Sequence, residues 1–377
     1  MSQTAGFREM PEGADPDAPL VQLDDVSVHF ESESFMSLFT GPNVVHAVDD
    51  VTLDIEENDV VVLVGESGSG KTTLGKTSVA LQRPTSGSVK YRGQDIYDAK
   101  DGTGEIDIRY SEIRRALQIV HQDPDSALHP MHTVLDQLSE PLRRWRDDMD
   151  AGGRRERIYN VLEQVGMTPA PDYASRYPHQ LSGGEKQRVV LCRALLMDPE
   201  LVMADEAVSA LDVSLRIEMM DLMLDLQDIF DTSYLFISHT LSNARYIAEK
   251  ADGRIGVMYL GNLVELGPPE EVIQNPKHPY TKVLKWATPS LSLDDEHTSS
   301  PPIREIDIPD AQDPPAGCRF HTRCPYARET CTQQYPTLDS ADDSHSAACF
   351  RQYDDHEYWS SEWLDAEAAE EAAARED

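Results

Sequence analysis

The stretch GESGSGKTT, residues 65–73, constrains this chain more than any other. It matches the pattern G-x-x-x-x-G-K-[ST], and its flanks suit that pattern. DVVVLVG (59–65) is a continuous apolar run of the kind that makes a buried parallel strand, and KTTLGKTSVALQ (71–82) reads as a helix. Strand, glycine-rich turn and helix in that order let backbone N–H groups converge on phosphate oxygens, and the helix N-terminus adds a favourable dipole. Gly65, Glu66, Ser67, Gly68, Ser69 and Gly70 are therefore expected to form a phosphate cradle. Lys71 is expected to reach the β- and γ-phosphates, and the Thr72 hydroxyl, with Thr73 beside it, to serve Mg2+ and nucleotide.

A phosphate loop of this kind needs a second carboxylate for its metal at the end of a neighbouring buried strand. LVMADE (201–206) supplies Asp205 for Mg2+ and Glu206 as the candidate general base. Strand-like runs at 20–30, 44–55, 200–206 and 233–240 alternate with helical ones, which predicts an α/β layered core. A helical block over about 124–188 is expected as a subdomain, and the Pro-, Ser- and Cys-rich composition beyond Gly267 suggests a boundary there.

Further motifs around this loop resemble the ATPase subunits of ABC transporters. LSGGEKQR (181–188) resembles their signature motif, SALD (209–212) their D-loop, Gln122 in VHQDP their Q-loop glutamine and His239 in FISHT their switch histidine. The resemblance implies a P-loop fold with a parallel-sheet core, a small antiparallel β subdomain, a helical subdomain and a Cys-rich C-terminal extension. It implies ATP and Mg2+ as ligands, catalytic roles for Glu206, His239 and Gln122, and a metal contact for Gln122. It further implies that Ser182, Gly183, Gly184 and Asp212 serve the ATP held by a second subunit, since this chain carries one set of motifs. Phe30, ending the first strand, is either the aromatic that stacks on adenine or a core phenylalanine. Thr240 stands where the family usually has aspartate, so local hydrogen bonding after His239 is expected to differ.

NPKHPYTKVLKWATPS (275–290) resembles the opening of the C-terminal extension of oligopeptide/dipeptide importer ATPases, and DEAVSALDVSL resembles the F-type member of their ATPase pairs. The resemblance thus implies a peripheral subunit on the cytoplasmic face of the membrane, paired in a heterodimer and working with two permease subunits and, indirectly, a substrate-binding protein. The divisions expected are a flexible leader (1–19), an ATPase domain (20–270), the extension (271–350) and an acidic tail (351–377) that frays from Trp363.

The alternative is a soluble ABC ATPase acting on nucleic acid or ribosomes. The net charge of −35, with ten acids against two bases in the last 27 residues, opposes it, because such a field repels phosphate backbones. The same acidic excess suggests a halophilic cytoplasm. Residues 1–20 lack a secretory pattern, and no apolar run is long enough for a bilayer, so a cytoplasmic address is expected.

That address makes clustered cysteines better metal ligands than disulfides. Of five cysteines, Cys192 lies in the apolar run VVLCRALL and reads as core, while Cys318, Cys324, Cys331 and Cys349 fall in the extension. Their spacing leaves an iron–sulfur cluster, zinc, and disulfides or free thiols open, with His321 and His345 as possible mixed ligands. Resemblance to the Cys-rich segment of dipeptide importer ATPases, some of which carry a 4Fe–4S cluster, favours iron–sulfur in a structural role.

Overall fold

Strand β3 (Val60–Val64) is buried along its whole length, as its run of valine and leucine requires, and everything else is arranged around it. The computed structural model describes residues 10–32, 43–146, 148–209, 211–288, 303–304, 307–342 and 344–365. Residues 1–9 of the leader, 33–42, Ala210 of the SALD motif and the tail from 366 lie outside the described residues.

Among the described residues the strands form two sheets. The smaller, antiparallel sheet has the order β2-β1-β4-β5, built from β1 (Val21–Ser32), β2 (Asn43–Ile55), β4 (Ser86–Tyr91) and β5 (Gln94–Asp95). The larger sheet has the order β11-β12-β10-β9-β3-β8-β7-β6. Its members besides β3 are β6 (Leu117–Val120), β7 (Leu201–Asp205), β8 (Ser233–Ile237), β9 (Arg254–Tyr259), β10 (Asn262–Gly267), β11 (Asp339–Asp342) and β12 (His345–Ala347). The five strands from β9 to β6 run parallel, and β10, β12 and β11 add antiparallel to the β9 edge.

The larger helices cover this sheet. Helix α1 (Lys71–Ser78) leaves the P-loop, and Gly75 lets it approach β7 and β8, since a Cβ there would meet Met203 and Ile237 at 2.5 and 2.9 Å. It stops short of the helix to residue 82 that the sequence suggests, because Ala80 turns to φ +59 and Arg114 donates to the freed Val79 carbonyl at 2.5 Å. Helices α2 (Val134–Trp145), α3 (Ala151–Gln164) and α4 (Gly183–Leu195) form the expected helical block, and α5 (Val213–Phe230) and α6 (Leu241–Lys250) follow β7 and β8. Cys192 is fully buried in α4, as read from its apolar surroundings.

The chain beyond Gly267 is not an appendage. Its short strands β11 and β12 continue the main sheet, and Phe320, Cys324, Tyr326 and Ala327 share one core cluster with β3 and β9. Part of the acidic tail folds too. Arg328 stacks on the Trp363 ring at 4.3 Å and donates to the carbonyls of Tyr358, Trp359 and Ser361, while buried Tyr358 bonds the Tyr326 carbonyl at 2.7 Å. The tail is thus held at Trp363, where fraying was expected to begin, by a guanidinium against a Trp ring; the rest of that expectation falls on residues outside the described ones.

Candidate active site

The P-loop, Gln122, Glu206 and His239 follow the carboxyl ends of parallel strands β3, β6, β7 and β8 respectively, and Asp205 is the last residue of β7. Parallel β structure places helix N-termini and loops on that edge, which is where open α/β sheets bind ligands. Two glycines are sterically required. Gly65 has φ +152, and a Cβ there would lie 2.1 Å from the Met258 carbonyl oxygen; Gly70 has φ +100, and its Cβ would meet the Ala47 carbonyl at 2.1 Å.

Lys71 is 6% exposed, and its ammonium donates to the carbonyls of Gly65 and Glu66 at 2.8 Å and to Ser69 Oγ at 3.3 Å. Burial pulls its pKa below the ordinary lysine value, against the opposing fields of Glu206, Asp205 and Glu66. Thr72 donates to Asp205 Oδ1 at 3.0 Å, and burial pushes the Asp205 carboxyl up. An anion beside Lys71 and a cation between Thr72 and Asp205 would relieve both penalties, so these residues suit a phosphate and its Mg2+.

Glu206 sits at φ +46, a left-handed backbone that a glutamate adopts at a cost of about 1 kcal/mol or more. Its N–H is held by the Ile237 carbonyl at 3.2 Å, across from β8. Gln122 Nε2 donates to Glu206 Oε2 at 3.0 Å and to Ser209 Oγ at 3.2 Å, and His239 Nδ1 lies 3.5 Å from the same carboxylate oxygen. Glutamine, glutamate and histidine thus meet at one carboxylate. After His239, Thr240 makes no side-chain cap for α6 and its hydroxyl has no hydrogen-bond partner.

The signature residues stand apart from this group. Ser182 caps α4, accepting from Glu185 N at 3.3 Å while its own N–H donates to the Glu185 carboxylate at 2.7 Å. Asp212 caps α5 through Leu215 N at 3.0 Å, and Gly184 faces the Leu215 side chain, so the two helix starts adjoin. Ser67, Gly68, Thr73 and Gly183 lie on the loop or on the first turns of α1 and α4. Phe30 pairs with Val45 on the small sheet and is 42% exposed, which rules out the core reading.

Cys318, Cys324, Cys331 and Cys349 line one pocket, together with His278, Phe320, His321, Tyr326, Phe350 and Tyr358 among others. All five cysteines are free thiols, so the disulfide alternative is corrected. Burial pushes each of these four thiols up, Cys349 to about 11, and for Cys318 and Cys324 the neighbouring sulfurs add to it. His321 lines the pocket, with Nδ1 2.8 Å from the Cys318 carbonyl oxygen. His345 is placed elsewhere: its Nε2 lies 2.7 Å from Glu265, which corrects its reading as a mixed ligand.

Sequence reasoning missed the residues that brace the P-loop from the extension. Glu66 N–H donates to Tyr280 Oη at 2.8 Å, and Arg323 donates to both Glu66 carboxylate oxygens at 3.0 and 3.3 Å. Tyr280 lies in the NPKHPYT stretch and Arg323 directly before Cys324, but nothing local ties either to a loop more than 200 residues away.

A P-loop sheet with this strand-end constellation defines an ABC-type ATPase. The ABC transporter family matches residues 48–209, and the oligopeptide/dipeptide transporter C-terminal region matches residues 264–331. The di/tripeptide transport ATP-binding protein of Pseudomonas aeruginosa is 39% identical over 326 residues, covering 86% of this chain and 95% of that one. The oligopeptide transport ATP-binding protein of Salmonella typhimurium is 36% identical, covering 88% and 96%. A dimeric ATP-binding cassette solved in a post-hydrolysis state with ADP and phosphate superposes with a TM-score of 0.53 at 28% identity, covering 64% of this chain and 96% of that one. The chain belongs to the ABC transporter family, in the branch of the oligopeptide/dipeptide transport ATP-binding subunits.

Proposed function

We propose that this protein hydrolyses ATP to energise an importer of di- or oligopeptides or a related solute, bound peripherally to separate permease subunits. The observation that carries this reading is the strand-end constellation around Glu206 in one chain with the oligopeptide/dipeptide C-terminal region. No helix among the described residues is long and apolar enough to cross a membrane; the place proposed is peripheral, on the cytoplasmic face.

In this reading residues 65–73 cradle the phosphates, and Lys71 exchanges its bonds to loop carbonyls for β- and γ-phosphate oxygens. Thr72, Asp205 and Gln122 would hold Mg2+, which neutralises charge developing on the phosphates. Glu206 accepts the proton of a water whose oxygen bonds to the γ-phosphorus as the bond to ADP breaks. His239 holds Glu206 and donates to the γ-phosphate. Ser182, Gly183, Gly184 and Asp212 form a half-site for the ATP of a second subunit, and Phe30, whose exposure supports the reading, stacks on adenine. The F-type features of DEAVSALDVSL support a heterodimer. The domain divisions are kept as proposed, with the extension carrying its folded tail.

The four extension cysteines are read as ligands of a 4Fe–4S cluster with a structural role. Four thiols on one apolar pocket support a metal centre. Visible absorbance and iron in anaerobically purified protein check this, and stoichiometric zinc without iron contradicts it. The excess of acid over base supports a surface suited to concentrated salt.

Affinity purification from solubilised membranes tests the function. The expected result is co-purification with two integral membrane permeases and a second ATPase subunit; retention on ribosomes or DNA instead would contradict it.

A further inference from the structure

Glu66 is an odd residue for a phosphate cradle. Its carboxylate field reaches Lys71, where it adds to those of Asp205 and Glu206. A negative charge inside a loop that must receive a polyphosphate opposes binding unless something offsets it.

What offsets it comes from the extension. Arg323 is 4% exposed, lies 5.7 Å from the Phe320 ring centre and 5.8 Å from that of Tyr259, and places its guanidinium on Glu66 with contacts at 3.0, 3.3 and 3.3 Å. The two-nitrogen grip fixes orientation as well as charge. The Glu66 N–H is taken by Tyr280, whose ring packs at 4.6 Å on Tyr259 and 5.5 Å on Phe320. Tyr280 and Phe320 are buried, so the braces stand on a rigid aromatic platform. A second arginine of the same segment, Arg319, bonds Asp49 and the Leu260 carbonyl, next to Gly261, whose N–H donates to the Ser69 carbonyl at 3.0 Å. Both ends of the cradle therefore rest on residues 319–323.

We propose that Arg323 is a positioning residue of the nucleotide site: it neutralises and holds the Glu66 carboxylate, so that the Cys-rich extension sets the affinity of the P-loop for Mg-ATP. The inference rests on the reading of residues 65–73 as an ATP site. Chemistry at Glu206 is untouched by it, so the effect falls on binding and not on turnover.

The test uses the full chain and titrates a non-hydrolysable Mg-ATP analogue by calorimetry, with steady-state ATP hydrolysis measured alongside. Failure of the wild-type protein to bind the analogue would remove the ATP-site reading itself; wild-type binding opens the test of Arg323. Arg323→Met is expected to weaken binding about tenfold and to raise KM in step, with kcat within about twofold of wild type. Adding Glu66→Gln to Arg323→Met removes the uncompensated charge and is expected to recover most of that loss. Arg323→Lys, which keeps the charge but loses the fork, is expected to fall between and serves if Arg323→Met does not fold. Wild-type affinity in Arg323→Met and Arg323→Lys, or a double variant no tighter than Arg323→Met, would overturn the proposal.

Discussion

The two regions that meet at the P-loop treat their polar groups in opposite ways. At the strand ends, Glu206 is 25% and His239 49% exposed, and the contacts between them are loose at 3.5 Å. Where the extension docks on β10, Glu265 is fully buried, yet its carboxylate accepts from the N–H groups of Lys277 and His278 at 2.8 and 3.0 Å and from the Thr281 hydroxyl at 2.5 Å, with His345 on its other side. That network explains the NPKHPYT stretch in physical terms. His278 caps the helix over Pro279–Ala287 through Tyr280 N, Thr281 and the backbone wrap Glu265, and Tyr280 is left aimed at Glu66. A site that must move a proton keeps open valences, while a network that must hold geometry fills those of its central carboxylate.

Three changes sharpen this contrast, taken from the largest effect down. Lys71→Ala strikes the strand-end region and removes the one buried cation of the cradle; ATP hydrolysis is expected to fall by about 10²-fold or more, with weakened nucleotide binding by calorimetry and an unfolding midpoint close to wild type. Cys324→Ser strikes the extension. It is expected to abolish the metal-dependent absorbance and lower the unfolding midpoint by about 5 °C, because metal binding to a loop-rich segment is folding energy. An unchanged midpoint in metal-free protein would break the contrast.

The smallest effect is a pH dependence. His278 is fully buried near Glu265, and burial lowers its pKa to about 4. The unfolded chain binds a proton near pH 6.5 and the folded chain does not, so stability is full above that value and is lost as pH falls toward 4. Between pH 7 and 5.5 the loss is about 1 kcal/mol, read from chemical denaturation, and His278→Asn, which keeps a capping group without titrating, is expected to flatten it.

The contrast also decides what the sequence could reveal. P-loop, Asp205, Glu206 and His239 are legible because each lies at or just beyond the end of a short, mostly apolar strand, and parallel topology then brings those ends together. The cysteines are legible by type. The braces are not: Tyr280 and Arg323 act on Glu66 across 214 and 257 residues, and no local pattern encodes that meeting. Strands β11 and β12 escape notice because DSAD and HSA are short and polar, and they exist only because β10 offers an edge. The folded part of the tail depends in the same way on Arg328 finding Trp363.

The proposed hydrolysis depends most on Glu206 as the group that receives the proton of the attacking water. Glu206→Gln keeps the shape and the hydrogen bond from Gln122 but cannot act as a base. Calorimetry and single-turnover hydrolysis on one preparation are expected to give wild-type ATP affinity with hydrolysis slowed by about 10²- to 10⁴-fold; hydrolysis at the wild-type rate would contradict the account.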